Sequence, residues 1–230
     1  MLGKNNHLAL TFDCYGTLID WRGGLLAAVR ACPAVAGRTL DGPRFLTDRE
    51  AAENVIEAGA YRSYREVVAS SVAVAVAHQD ITLSAEEAAS VGASVGRWPP
   101  FPDTAAALVA LGRGRRLAII SNVERRDIER SVEQLGVSFD AIVTAEEVRS
   151  YKPAHAHFDE VLLRLDLPRE QVLHVAQSLY HDILPAADIR QDAVWIDRDD
   201  AGPPAAPTYL ARFTDLAGLA AALGPRPITR

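Results

Sequence analysis

The stretch Leu8-Ala9-Leu10-Thr11-Phe12-Asp13 is a short, mainly apolar run that ends in a carboxylate, and Gly16 follows three residues later. Short apolar runs bounded by turn residues are typical of buried strands. We therefore expect a strand at residues 8–12 that delivers Asp13 to a loop at its carboxyl end.

Later segments repeat this arrangement of an apolar run followed by polar residues. Residues 117–120 precede Ser121-Asn122, residues 172–176 precede Gln177-Ser178, residues 193–196 precede Asp197, and residues 141–143 form a shorter candidate strand. Segments with helical spacing lie between them, at residues 124–135, 155–165, 183–189 and 216–223. This alternation predicts an α/β fold, a Rossmann-like parallel sheet flanked by helices. Ligands of such sheets bind beyond the carboxyl ends of the strands, where the polar residues gather.

Residues 22–97 interrupt the alternation with Ala-rich segments of helical period at residues 25–32, 45–58, 64–78 and 85–95. Residues 72–77 alternate like a strand, but their alanines and helical flanks favour a helix. Trp98-Pro99-Pro100-Phe101-Pro102 then predicts a stiff hinge. The simplest organisation is an α/β core of residues 1–21 and 98–230, with a helical cap of residues 22–97 inserted after the first strand.

Bulk composition narrows the class of protein. Of 230 residues, 49% are hydrophobic and 23% charged, which is typical of a globular chain. The formal charge of −6 argues against nucleic-acid or acidic-membrane partners. No apolar run reaches the length of a membrane span. With two cysteines, Cys14 and Cys32, and no signal-peptide pattern, we expect a reduced, cytoplasmic protein.

Residues suited to covalent hydrolysis follow one another along the chain: Asp13 with Thr17, then Ser121 with Asn122, then Lys152-Pro153, then Asp182. An aspartate can act as a covalent nucleophile when its charge is held in place. A lysine would orient that carboxylate, small hydroxyl and amide groups would hold a substrate anion or leaving group, and a second acid would assist water. Each residue alone has a structural explanation, such as a helix cap; the ordered set favours a site.

The motifs that contain these residues resemble those of the haloacid dehalogenase superfamily, and within it the branch of L-2-haloacid dehalogenases. The matching segments are residues 12–18, 119–122, 151–153, Asp182 and residues 195–198. The resemblance covers about residues 7–21 and 100–200, whereas the helical insertion resembles a family cap only in its placement and character.

The resemblance implies a hydrolase in which Asp13 attacks a substituted carbon and water then cleaves the resulting ester. It implies catalytic roles for Asp13, Thr17, Ser121, Lys152 and Asp182, and substrate contacts by Cys14, Tyr15, Asn122, Arg49 and Ser178. Arg49 is the first choice and Arg44 the second for a cap arginine at the departing halide, with a solvated helix arginine as the alternative. The expected partner is a small carboxylate substrate, and the family suggests a homodimer.

Two departures bear on the alternative of a magnesium-dependent phosphatase. Superfamily phosphatases have a second aspartate two positions after the nucleophile, where this chain has Tyr15. They also have an acid four positions before Asp182, where this chain has Ser178. Asp13 and Asp182 still offer two carboxylates, so magnesium is expected only under the phosphatase alternative; otherwise no cofactor is expected.

Other departures concern water and substrate. Phe158 stands where the family has a tyrosine, and Gln177 and Leu179 stand where the branch has a serine and an asparagine that hold water. Ser178 or His181 is a hypothetical replacement. The remaining histidines, His174 among them, are interpreted as packed or solvated. Hydrolysis of another carbon–heteroatom bond and a non-catalytic binding module stay open as alternatives.

Overall fold

The computed structural model describes residues 6–202 and 209–226, which form two compact units. The first unit comprises Met1–Ile19, Pro100–Asn122 and Val132–Arg230, and the second comprises Asp20–Pro99 and Val123–Ser131. The predicted division at residues 21/22 and 97/98 stays a prediction. The outer ends of the predicted core, residues 1–5 and 227–230, and residues 203–208 within it lie outside the described part.

The first unit is built on a six-stranded parallel sheet. The strands are β1 (Ala9–Phe12), β2 (Arg116–Ser121), β3 (Ala141–Thr144), β4 (Val172–Ala176), β5 (Ala193–Ile196) and β6 (Ala211–Phe213). Their order across the sheet is β3-β2-β1-β4-β5-β6. The predicted α/β class is confirmed. Because β1 is central, with β2 and β4 as its neighbours, the polar residues after these three strands meet at one edge.

Ten α-helices are found in the described residues: α1 (Trp21–Arg30), α2 (Gly42–Glu57), α3 (Tyr64–Ala77), α4 (Ala85–Gly92), α5 (Thr104–Leu111), α6 (Arg125–Leu135), α7 (Ala145–Val148), α8 (Ala156–Leu165), α9 (Leu184–Asp188) and α10 (Leu216–Leu223). The apolar face of α8 packs on the sheet through Phe158, Val161 and Leu165, which are nearly fully buried. Burial of each such side chain stabilises the unit by roughly 1.5–3 kcal/mol, and it fixes the helix that follows Lys152.

The second unit is helical. Ser63 and Ser84 begin α3 and α4 with capping boxes, in which Glu66 and Glu87 return hydrogen bonds to the cap residues. Residues 72–77 belong to α3, as their helical flanks predicted. None of the described helices has the length and apolar character needed to cross a membrane.

Three of the α-helices and strands escaped prediction: α7, which has only four residues, α5 and β6. Helix α5, with the sequence TAAALVAL, is apolar on nearly all sides and so has no periodicity. Strand β6 has three residues, all half-buried, and therefore lacks the apolar run that marked the other strands. The helix predicted at residues 85–95 ends at Gly92, and a single 3-10 turn, Val95–Arg97, follows it.

Candidate active site

Asp13 is the first residue after β1, and its side chain is almost completely enclosed. Its backbone N–H donates to the carbonyl of Val175 on β4 (3.1 Å), which extends the sheet by one residue. Thr17 Oγ1 donates to Oδ2 of Asp13 at 2.7 Å. Between them Gly16 adopts φ +104°, a conformation that glycine reaches without steric cost. The tight turn therefore brings the Thr17 hydroxyl back onto the carboxylate.

Lys152 joins the two buried acids. Its Nζ donates to Asp13 Oδ1 at 2.9 Å, to Asp182 Oδ1 at 2.7 Å and to the carbonyl of Ile120 at 3.3 Å. These three acceptors match the three hydrogens of an ammonium group. The lysine is 2% exposed, so solvent hardly screens the two ion pairs.

Burial and charge shift the pKa values of these three groups. Burial raises the pKa of the Asp13 carboxyl, and the neighbouring charge of Asp182 adds to the rise, while Lys152 opposes it. Burial also acts to raise the pKa of Asp182, but Lys152 and His174 together hold it below its ordinary value. Burial acts to lower the pKa of Lys152, yet the two carboxylates raise it overall. Lys152 is therefore a fixed cation at neutral pH.

Asp182 lies on a single π-helical turn, Leu179–Ile183, directly after β4. Ser178 begins this turn, because its Oγ accepts from the backbone N–H of His181 at 3.0 Å. The N–H of Ile183 reaches the carbonyl of Ser178 at 3.1 Å, the wide closure of a π turn. Such turns are frequent at functional sites, and this one directs Asp182 towards Lys152.

His174 contacts the opposite side of the same carboxylate oxygen. Its Nε2 lies 3.1 Å from Asp182 Oδ1, and its Nδ1 lies 3.0 Å from Thr11 Oγ1. Asp182 Oδ1 therefore has two nitrogen partners. Asp182 Oδ2 is buried and has no hydrogen-bond partner among the described residues.

The loop that contains Thr17 is fixed from two further directions. Thr17 Oγ1 accepts from the backbone N–H of Gln177 at 2.9 Å, so one hydroxyl links the loops after β1 and β4. The carbonyl of Thr17 accepts from Arg198 Nη2 at 2.7 Å, and Arg198 also pairs with Asp103 at 2.8 Å. Gln177, Arg198 and Asp103 thus support the nucleophile loop without contacting Asp13.

Ser121 is the last residue of β2, and Asn122 follows it. The side-chain oxygen of Asn122 accepts from the backbone N–H of Lys152 at 2.7 Å, and its Nδ2 donates to the Lys152 carbonyl at 3.2 Å. The amide thus holds the lysine loop. Its predicted contact with a leaving group stays a prediction. Ser121 is buried, and its carbonyl accepts from His157 Nε2 at 3.2 Å. Burial lowers the pKa of His157 to about 4, which keeps this ring neutral at pH 7.

Three further predicted substrate contacts lie in the same unit. Cys14 is fully buried, and burial raises the pKa of its thiol well above the usual value, so its side chain is a core residue beside Asp13. Tyr15 is half-buried and pairs with Ile19 in a short bridge. Ser178, as described, caps the turn of Asp182. The roles in substrate binding stay predictions for all three.

Arg49 lies on α2 in the second unit and is 1% exposed. Its guanidinium makes a two-pronged ion pair with Glu53, one turn along the helix, with Nη1 2.7 Å from Oε2. Nη2 also donates to the Tyr64 hydroxyl at 3.1 Å, and the group lies 5.0 Å from the ring centre of Trp21. Glu53 therefore offsets the charge that a halide contact would use. The second choice, Arg44, is exposed and donates to the carbonyl of His78 at 2.8 Å.

The donor set offers little to a metal ion. Among residues 6–202 and 209–226, no group of three or more His, Cys, Asp or Glu side chains is placed to hold one. Magnesium prefers six oxygen ligands, commonly including carboxylates. Here Oδ1 of Asp13 and Oδ1 of Asp182 already accept hydrogen bonds from Lys152. Ser178 stands where superfamily phosphatases have a further acid. The residues present do not fit a magnesium site.

The interpretation of His174 as a packed residue missed its polar contacts. Thr11 and His174 are each the one polar residue of an otherwise apolar strand, and they are direct partners in the β1–β4 register. Two such residues in adjacent central strands indicate a buried polar pair. This clue was present in the sequence but required the strand order.

Comparison with known proteins agrees with this geometry. Residues 8–189 match the family model of haloacid dehalogenase-like hydrolases. An (S)-2-haloacid dehalogenase of Pseudomonas putida is 25% identical over 216 residues, 90% of this chain and 93% of that protein. A glyceraldehyde 3-phosphate phosphatase of Methanothermobacter thermautotrophicus is 33% identical, but the match covers 44% of this chain and 46% of that protein.

Among solved structures, an L-2-haloacid dehalogenase of Xanthobacter autotrophicus with covalently bound chloropropionic acid has a TM-score of 0.77. It is 20% identical, and the match covers 94% of this chain and 98% of that one. The chain belongs to the haloacid dehalogenase-like hydrolases.

Proposed function

We propose that this hydrolase replaces the halogen of a small 2-haloalkanoic acid by a hydroxyl group, through an ester on Asp13. The observation that best supports the proposal is the Asp13 carboxylate itself. It lies at the end of the central strand, held by Thr17 on one oxygen and by Lys152 on the other. The dehalogenase relatives that match nearly the whole chain support the substrate class.

In the first step a carboxylate oxygen of Asp13 attacks C2 of the substrate from the side opposite the halogen. A carbon–oxygen bond forms while the carbon–halogen bond breaks, and the halide leaves with the bonding electrons, so the configuration at C2 inverts. Thr17 and Lys152 restrict the rotation of the carboxylate and so preorganise the attack. Burial favours this step, because ester formation removes one negative charge from an enclosed site.

In the second step water attacks the carbonyl carbon of the Asp13 ester. Asp182 accepts a proton from this water, and the resulting oxyanion lies beside the Lys152 ammonium. Collapse of the tetrahedral intermediate breaks the bond between the Asp13 carbonyl carbon and the substrate oxygen. The departing alkoxide takes the proton from Asp182, which yields the 2-hydroxy acid, and the second proton of the water, left on the Asp13 carboxyl, is released to solvent, which restores both carboxylates.

A carbon–halogen bond suits the residues better than a phosphate ester does. Halide leaves without a proton, whereas an alkoxide leaving from phosphorus needs a general acid. Tyr15 occupies the position where superfamily phosphatases have that acid. We accordingly propose a reaction without magnesium or another cofactor, in line with the poor fit of the donor set.

The proposal extends to the cellular compartment, the oligomeric state and the domain organisation of the enzyme. The two cysteines, Cys14 and Cys32, are both buried and free, which suits a reducing compartment, so we propose a cytoplasmic enzyme. A homodimer and a helical cap of residues 22–97 are proposed from the family resemblance.

One experiment separates the alternatives. Both enantiomers of 2-chloropropionate and a panel of small phosphate esters are incubated with the protein, with and without EDTA, beside an Asp13→Asn variant. We expect halide release from the S enantiomer that persists in EDTA and is lost in the variant. Mass spectrometry of single-turnover samples in H₂¹⁸O should find the heavy oxygen first in Asp13. Magnesium-dependent phosphate release would contradict the proposal and establish the phosphatase alternative.

A further inference from the structure

We propose that His174, oriented by Thr11, is a positioning residue that aligns Asp182 for attack of water on the Asp13 ester. The inference rests on the proposed function, because it concerns the second step of that reaction. It assigns a role to two residues of the sheet, one on β1 and one on β4, that the family motifs do not include.

The first argument is that the two carboxylate oxygens of Asp182 have different contacts. Oδ1 receives Lys152 Nζ at 2.7 Å and His174 Nε2 at 3.1 Å, whereas the buried Oδ2 has no partner in the described part of the chain. Two donors on one oxygen stop the carboxylate from rotating. Oδ2 is then the oxygen left to accept a proton from water.

The second argument concerns the hydrogen positions on the imidazole ring. A carboxylate oxygen only accepts, so His174 Nε2 must donate to Asp182. In a neutral ring Nδ1 is then an acceptor, and the Thr11 hydroxyl donates to it across 3.0 Å. The Asp182 carboxylate therefore sets the tautomer, and Thr11 holds the ring in place through Nδ1. Both side chains are essentially buried, so water does not compete for these bonds.

The third argument links His174 to the departures from the family motifs. Leu179 stands where the branch has a water-holding asparagine, and it cannot form a hydrogen bond. Phe158 stands where the family has a tyrosine, and its ring meets the His174 ring edge-on, with centroids 5.0 Å apart. The phenylalanine that replaces the tyrosine thus packs against His174, and the two residues together form an alternative support for Asp182.

The test uses pre-steady-state kinetics with (S)-2-chloropropionate on His174→Leu and His174→Gln. Leucine removes the donor, whereas the glutamine amide can still donate to Asp182. For His174→Leu we expect a halide burst of one equivalent at the wild-type rate, accumulation of the Asp13 ester, and deacylation slowed by about 10- to 100-fold. His174→Gln should recover to within about 3-fold. His155→Leu, at the exposed histidine that directly precedes α8, is the matched control and should behave as wild type.

Thr11→Val and Thr11→Ser provide a second pair in case His174→Leu does not fold. Valine removes the hydroxyl with little change of shape and should also slow deacylation alone, whereas serine should restore it. Deacylation at the wild-type rate in both His174→Leu and Thr11→Val would overturn the inference. Equal slowing of ester formation and ester hydrolysis would also overturn it, because that result indicates a general structural role.

A measurement without substrate keeps the two proposals apart. Nitrogen-15 NMR of the histidine rings should find His174 protonated at Nε2, and Thr11→Val should shift the Nδ1 resonance, because it removes the hydrogen bond to that nitrogen. A ring protonated at Nδ1 alone would contradict the inference whatever the substrate is. No halide release by the wild-type protein, in contrast, would contradict only the proposed function.

Discussion

Replacing Lys152 by methionine leaves Asp13 and Asp182 buried with no cation between them. Removing one partner from a buried ion pair typically costs about 3–5 kcal/mol, because an uncompensated charge stays in the interior. Lys152 is 2% exposed and contacts both acids within 3 Å, so we expect a loss in that range at pH 8. Urea denaturation followed by circular dichroism measures the free energy of unfolding.

The loss of unfolding free energy in Lys152→Met should become smaller as the pH falls. In the wild type the pKa of Asp182 is lowered, so its stabilisation is present above the unfolded-state pKa of about 4 and is lost below the folded one. In Lys152→Met burial raises both carboxyl pKa values, so stability is highest below the unfolded-state pKa of about 4 and falls as the pH rises from there to the raised folded-state values. Each pKa unit corresponds to about 1.4 kcal/mol. We expect the deficit relative to the wild type to be at least ~1.4 kcal/mol smaller at pH 5 than at pH 8.

Arg164→Met is the matched control. Arg164 pairs with Glu160 and Glu147 at a half-exposed site on α8, where such pairs contribute less than about 1 kcal/mol. Its deficit should stay small at both pH values. An equal deficit for Lys152→Met at pH 5 and pH 8 would refute the electrostatic reasoning and indicate lost packing of the lysine stem instead.

Three other substitutions test separate features. Thr17→Val removes a hydrogen bond to the charged Asp13, and kcat/KM should fall by about 10- to 100-fold, as measured by halide release. Glu53→Gln leaves the buried Arg49 without its counter-ion and should lower the free energy of unfolding by about 3–5 kcal/mol in urea. His157→Gln removes a ring whose pKa is about 4 in the fold. The wild type should lose about 3 kcal/mol between pH 6.5 and 4 as the unfolded ring takes up a proton, and the variant should lose less.

Each of these has a control in the chain. Thr17→Ser keeps the hydroxyl and should retain most of the activity. Glu50→Gln removes the exposed partner of Arg22, 3.7 Å away, and should change the unfolding free energy by less than about 1 kcal/mol. His155→Gln, at an exposed histidine, should leave the pH dependence of stability unchanged. An equal loss of activity or of unfolding free energy in a variant and in its control would contradict the corresponding prediction.

Most of the sheet was predictable because each of its central strands is a short, mostly apolar run. The site was predictable in outline for the same reason: Asp13, Asn122 and Gln177 directly follow strands that are neighbours, so the topology alone brings them together. The three residues of β6, half-buried throughout, give no such run. Its position depends on lateral pairing with β5, which no local pattern encodes.

The details of the site were less predictable, because they depend on contacts between distant residues. His174 contacts Asp182 because Asp182 lies on a π turn, and no pattern in the sequence predicts that turn. Asp127 pairs with Arg65, 62 positions earlier, and this contact lies within the helical unit although the chain around Asp127 follows a strand of the sheet. The Arg49–Glu53 pair has the spacing of four of a helical ion pair and lies on the helix predicted at residues 45–58, but the prediction for Arg49 was a halide contact or a solvated arginine.

The charges of the site explain why aspartyl ester chemistry suits it whatever the electrophile. Asp13, Asp182 and Lys152 together hold one net negative charge in a nearly water-free site, and burial raises the pKa of Asp13. Conversion of Asp13 to an ester transfers its charge to the leaving group, and once that group has left, the side chains of Lys152 and Asp182 are a balanced pair. The cost of that charge is thus a driving force for attack. Discrimination between halide and other leaving groups must then come from residues outside this triad, and substitutions at Tyr15 or Asn122 should change substrate preference more than Lys152→Arg does.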